Sequence, residues 1–119
     1  MSNPPTQAVT DVPEFITDLD GGQFDRALSI ALSQVSAAVV DNDRNGEVNI
    51  NFKIKPITGS HQIRVEHTLT FKRPTMNGKA TEDVTRSTVM HVGQYGKLSL
   101  AQPSLLENRQ GNLPGTQKQ

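Results

Sequence analysis

Val48-Asn49-Ile50-Asn51-Phe52-Lys53-Ile54-Lys55-Pro56 decides the fold. Apolar and polar residues alternate without a break until Pro56, which is the period-two signature of a half-buried β-strand. A turn at Thr58-Gly59-Ser60 separates it from a second alternating run, in which Ile63, Val65, Leu69 and Phe71 interleave with Arg64, Glu66, Thr68 and Lys72. Together they predict an antiparallel hairpin with one apolar face.

Upstream, the periodicity changes from two to about 3.6. Phe24, Leu28, Ala31, Val35, Ala38 and Val39 fall on one helical stripe, and Ala27, Leu32 and Val40 make it broader than one sheet face requires. The surplus predicts a contact with a partner helix. The start of this helix is signalled by Asp20 as N-cap, Gln23 three residues on as the second half of a capping box, and a Leu19–Phe24 staple. Asp41-Asn42-Asp43-Arg44-Asn45-Gly46 is dense in turn formers and ends it, with Gly46 available for a left-handed conformation.

Downstream, Arg73 to Arg86 is polar and contains Asn77-Gly78, a strong tight-turn dipeptide. This segment is either a protruding hairpin arm or a mobile loop. Thr88–Val92 and Lys97–Leu100, joined by Gly93-Gln94-Tyr95-Gly96, predict a second hairpin. The expected fold is α+β, with one long helix packed on one face of an antiparallel sheet of about four strands. Its parts are a flexible acidic arm at 1–18, a core at 19–101 and a flexible tail at 102–119. Within the arm, Phe15 and Ile16 are expected to dock locally.

A core of roughly 80 residues is marginal alone. Aromatic residues are limited to Phe15, Phe24, Phe52, Phe71 and Tyr95, so self-association into a homo-oligomer is the expected source of further burial. The chain has no cysteine, which excludes disulfides, thiolate catalysis and cysteine-rich zinc sites. It has no apolar run long enough to span a membrane, and Met-Ser-Asn-Pro-Pro does not resemble a signal peptide, so the expected location is the cytoplasm.

Formal net charge is zero, but it is unevenly distributed. Residues 1–43 hold seven acids and one base. Residues 44–100 hold nine bases (Arg44, Lys53, Lys55, Arg64, Lys72, Arg73, Lys79, Arg86, Lys97) against four acids (Glu47, Glu66, Glu82, Asp83). Strand alternation puts Lys53, Lys55, Arg64 and Lys72 on the sheet face away from the helix, with Asn49, Asn51, Thr68 and Thr70 among them. Arg73 and Lys79 lie on the adjoining arm. This is the residue chemistry that holds a sugar–phosphate backbone. An ordinary solvated sheet face is the competing reading, since lysines also protect strands from aggregation. Tyr95, between glycines and close to Lys97, is equally suited to packing or to stacking on a base.

Other sites are weaker. Asp41 to Gly46 matches the opening of a calcium loop, but position twelve is Phe52 where a glutamate is needed, and a strand follows where a helix should. His61, His67 and His91 lack metal-ligand spacing, and His67 has the inward parity of a core histidine. No nucleophile elbow, phosphate loop or carboxylate pair is present, so neither an enzyme nor a cofactor is expected.

Gly21-Gly22-Gln23-Phe24, the passage into Gly46-Glu47-Val48, His67-Thr68-Leu69-Thr70-Phe71-Lys72-Arg73-Pro74-Thr75 and Val92-Gly93 resemble a group of small bacteriophage proteins. The likeness spans about residues 19–100 and is strongest to the Drc-type single-stranded-DNA-binding cofactors of phage RNA polymerase. It implies a transcription role in the host cytoplasm, where promoter DNA is locally melted, with single-stranded DNA and a phage RNA polymerase as partners. No family site residue maps onto this sequence. The alternative expectation is a protein-interaction module, an inhibitor or adaptor of a host protein, that binds no nucleic acid.

Overall fold

The two alternating runs form strands β1 (Glu47–Pro56) and β2 (Gln62–Pro74), paired antiparallel from Glu47 opposite Lys72 to Pro56 opposite Ile63. In this computed structural model, which describes residues 9–100, they belong to a four-stranded antiparallel sheet of order β1-β2-β3-β4. β3 is Lys79–Val92 and β4 is Leu98–Ser99. The polar stretch after Arg73 is therefore a hairpin arm. The turn is closed by the Thr75 N–H donating to the Gly78 carbonyl at 2.8 Å, and β3 pairs with β2 along its length, from Lys79 opposite Pro74 to His91 opposite Gln62.

Helix α2 (Gln23–Asn42) packs across β2 on one face of the sheet. Phe24, Ala31 and Val35 from the helix meet Val65, Leu69 and Phe71 from β2 and Met90 from β3 in the buried core. Burial alternates along β2, with Val65, His67, Leu69 and Phe71 covered, as the period-two pattern predicts. The broad stripe on α2 is only partly used: Leu32 remains 50% exposed and Val40 80%.

Three local expectations change. Residues 12–18, assigned to a flexible arm, form helix α1 (Val12–Asp18), whose N-terminus is capped by Asp11 accepting from the Glu14 N–H. Phe15 and Leu19 are buried in the core, and this apolar burial offsets the ordering cost of the segment. Residues 1–8 of the arm and the tail from 102 onward lie outside the described residues.

The capping box does not form. Asp20, Gly21 and Gly22 all have positive φ (50°, 61° and 90°) in a 3-10 turn over Leu19–Gly22, and Gly22 is the N-cap of α2. Two helices must turn sharply there, and Asp and Gly are residues that enter the left-handed region at low cost. At the other end of α2 the left-handed residue is Asp43 (φ 52°), not Gly46. Gly46 is needed for space: a Cβ there would lie 2.5 Å from Val35 Cγ1 and 3.0 Å from the Lys72 carbonyl oxygen.

The helix end is tied to the hairpin tip. Asn42 Nδ2 donates to the carbonyls of Ala38 and Pro74, and the Arg44 guanidinium donates to those of Thr75 and Met76. No helix among the described residues is long and apolar enough to cross a membrane.

Candidate nucleic-acid interface and the cleft behind it

The sheet face away from α2 is built in rows, because directly opposed residues in an antiparallel sheet point the same way. Across β1, β2 and β3 the rows are Glu47–Lys72–Thr81, Asn49–Thr70–Asp83, Asn51–Thr68–Thr85, Lys53–Glu66–Ser87 and Lys55–Arg64–Val89. Its middle is a band of short hydroxyl and amide side chains, and the Thr68 and Thr85 hydroxyls share a hydrogen bond of 3.0 Å. Val89 is the one apolar side chain in these rows.

The structure separates the eight predicted contact residues. Lys53, Lys55 and Arg64 lie in two adjacent rows near the β1–β2 turn. Tyr95 and Lys97 follow β3 at the same end, where the Val92 N–H donates to the His61 carbonyl. Tyr95 is 59% exposed, with a left-handed φ of 62°. Lys72 and Lys79 are at the opposite end. Arg64 and Lys72 are eight residues apart on β2, a span of roughly 26 Å at strand rise. Arg73 has the parity of the helix side, where its Nη2 meets Glu82 Oε2 at 2.7 Å and its buried Nε has no hydrogen-bond partner among the described residues.

The face is less basic than the lysines and arginine alone suggest. Lys55 Nζ lies 3.4 Å from Glu66 Oε1, and Lys72 Nζ lies 3.8 Å from Glu47 Oε1. Positive charge exceeds negative in the two rows holding Lys53, Lys55 and Arg64 against Glu66. The third strand of this face, with Asp83 and the Thr81, Thr85 and Ser87 hydroxyls, was not evident in the sequence. Charged residues occupy both parities of Thr81–Arg86, so neither face has an apolar signature.

On the helix side of β3, a cleft of about 250 Å³ is lined by Asp20, Gln23, Phe24, His67, Val84 and Arg86, among others. The 3-10 turn places the Asp20 N–H on Thr88 Oγ1 at 2.8 Å, and that oxygen shares a 3.1 Å hydrogen bond with His67 Nε2. The Phe24 ring meets the His67 ring edge-on at 5.2 Å. The Thr88 hydroxyl has one proton and two lone pairs, so besides accepting from Asp20 it can donate to Nε2 or accept from it, according to the imidazole tautomer. Burial pushes the His67 pKa below its ordinary 6.5, and the Asp20 carboxylate acts in the opposite direction. Asp20 Oδ2 also lies 3.8 Å from Arg86 Nε. The contribution of Asp20 depends on three successive left-handed residues, which periodicity does not register.

Comparison with known proteins places the fold within a family. The YfdP family matches residues 11–98, from the N-cap of α1 to the start of β4. The chain is 37% identical over 93 residues to the Escherichia coli (strain K12) protein named uncharacterized protein YfdP, covering 78% of this chain and 77% of that one. No solved structure matches the chain.

Proposed function

The chain belongs to the YfdP family, and for this member we propose single-stranded nucleic-acid binding on the sheet face away from α2, centred on Lys53, Lys55 and Arg64. The observation that carries the proposal is the placement of these three cations in neighbouring rows of a face that no described residue covers and whose other side chains are mostly hydrogen-bonding groups. Cations supply affinity for phosphates, and the Asn, Thr and Ser band supplies donors and acceptors for sugar and phosphate oxygens. Tyr95, exposed at the same end, offers a stacking surface that accepts any base. A face with few aromatic platforms and three acids suits weak, salt-sensitive, sequence-tolerant binding. Action at melted promoter DNA, as in the Drc-type cofactors, fits that mode.

The test is fluorescence anisotropy of a labelled oligothymidylate at low salt, titrated with the protein. Binding should weaken with salt at a logarithmic slope of about −2, three phosphate contacts at ~0.7 each for a single strand. Lys53→Ala/Lys55→Ala/Arg64→Ala should keep the wild-type circular dichroism spectrum while losing most of the affinity and flattening the slope. An unchanged affinity in that variant, or no binding at low salt by the wild type, overturns the proposal and leaves the protein-interaction reading.

A further inference from the structure

We propose that β1 pairs with β1 of a second copy of this chain, antiparallel about a twofold axis at Asn51, joining two four-stranded sheets into one of eight. The inference rests on the strand edge and not on nucleic-acid binding, although Lys53 and Lys55 figure in both.

Among the described residues β1 has no neighbour on its outer side, and the backbone groups that β2 does not use there can be identified. The Ile57 N–H donates to the Gln62 carbonyl, so the odd-numbered residues of β1 bond to β2 and the even-numbered ones direct N–H and C=O outward. The outward set is Val48, Ile50, Phe52 and Ile54. The side chains of these same residues point to the helix side of the sheet, where Ile50 is 39%, Phe52 38% and Ile54 57% exposed. Val39 reaches Gly46 at the entry to β1 while Ala27 lines the cleft toward β3, so the helical period puts Leu32 on the β1 side. An unbonded strand edge with an uncovered apolar flank is a template for another strand.

The sequence of the strand selects the occupant. In a twofold antiparallel pair that overlaps the whole run Glu47–Lys55, Asn51 faces its own copy, Glu47 faces Lys55 of the second copy, and Lys55 faces its Glu47. On the other side Val48 meets Ile54 and Ile50 meets Phe52. These apolar pairs join outward-facing residues to outward-facing residues, as the hydrogen-bond pattern requires. No like charges are opposed, and Pro56, which lacks an N–H, falls just beyond the overlap. Lys53 and Lys55 disfavour indiscriminate pairing of this edge, yet here they face Asn49 and Glu47.

The other long edge does not offer this. The Val92 N–H bonds to the His61 carbonyl, so β3 turns its odd-numbered residues outward. Beside them Glu82 and Arg86 put charge on the helix side of the strand, and β4 covers the last two positions.

Because the chain has no cysteine, Asn51→Cys introduces a single thiol. In the proposed pair position 51 is a non-hydrogen-bonded site with Cα atoms about 4.5 Å apart, within disulfide reach. Position 49 would lie roughly 14 Å from its own copy, beyond it. Wild-type protein should sediment at twice the chain mass. Asn51→Cys should become a covalent dimer under mild oxidation with an unaltered circular dichroism spectrum, and Asn49→Cys should not. Glu47→Lys and Lys55→Glu should each weaken dimerisation roughly tenfold, and mixing the two variants should restore it as a heterodimer. A wild-type protein that is monomeric at every concentration, or a dimer that Asn51→Cys fails to cross-link, overturns the proposal.

Discussion

β1 and β3 flank the same central strand, yet they manage their outer edges in opposite ways. β3 carries Glu82 and Arg86 on the helix side, where Arg86 approaches Asp20 and Glu82 pairs with Arg73. Charges at those positions make a second strand costly to add. β1 carries Val48, Ile50, Phe52 and Ile54 at the equivalent parity and has no strand beyond it among the described residues. The difference is larger than the fold requires, since α2 lies mainly on β2 and covers neither flank fully. A sheet that blocks one edge and leaves the other apolar has a preferred direction of growth.

One row across the sheet tests this division. Ile50, Leu69 and Val84 are directly opposed, with exposures of 39%, 1% and 41%. Leu69→Ala should cost about 2–5 kcal/mol in chemical unfolding, the range for a buried leucine with a residual cavity. Ile50→Ala and Val84→Ala should each cost under about 1 kcal/mol in dilute protein, since their side chains remain partly in water. At higher protein concentration the two should separate, because Ile50→Ala alone also weakens association. Equal behaviour of the two flanking variants at all concentrations would erase the distinction between the edges.

A smaller effect comes from the next row, Phe52–His67–Arg86. The folded-state pKa of His67 is lowered, so around pH 6.5 the unfolded chain binds more protons than the folded one. Stability is then fully present above about pH 6.5 and falls as the pH drops from there toward the lowered folded value. Thermal unfolding at pH 7.5 and 5.5 should show this loss in the wild type, and His67→Gln should remove most of it. A melting temperature that rises on acidification would contradict the buried neutral state.

The parts of the molecule that were legible in the sequence are those governed by a single period. Alternation over Val48–Lys55 and Ile63–Lys72 gave the hairpin, its inward His67 and the shared face of Lys53, Lys55 and Arg64. The 3.6 period gave α2. What periodicity missed depends on tertiary contact. Helix α1 is too short for a stripe and is held by burial of Phe15. The capping residues of α2 were displaced because Asp20 is drawn to Thr88, sixty-eight residues away. The outer face of β3 and the Arg86 side of the cleft were concealed by charges on both parities, and the distance between Arg64 and Lys72 followed only from the continuous length of β2.

Residue-resolved amide hydrogen exchange at two protein concentrations tests the asymmetry of the edges most directly. It reads the outward N–H groups of both strands in one experiment. The account predicts that Val48, Ile50, Phe52 and Ile54 exchange more slowly as concentration rises, while Thr81, Asp83, Thr85 and Ser87 stay fast throughout. Fast exchange along β1 at every concentration, or protection that appears on β3 instead, would contradict it.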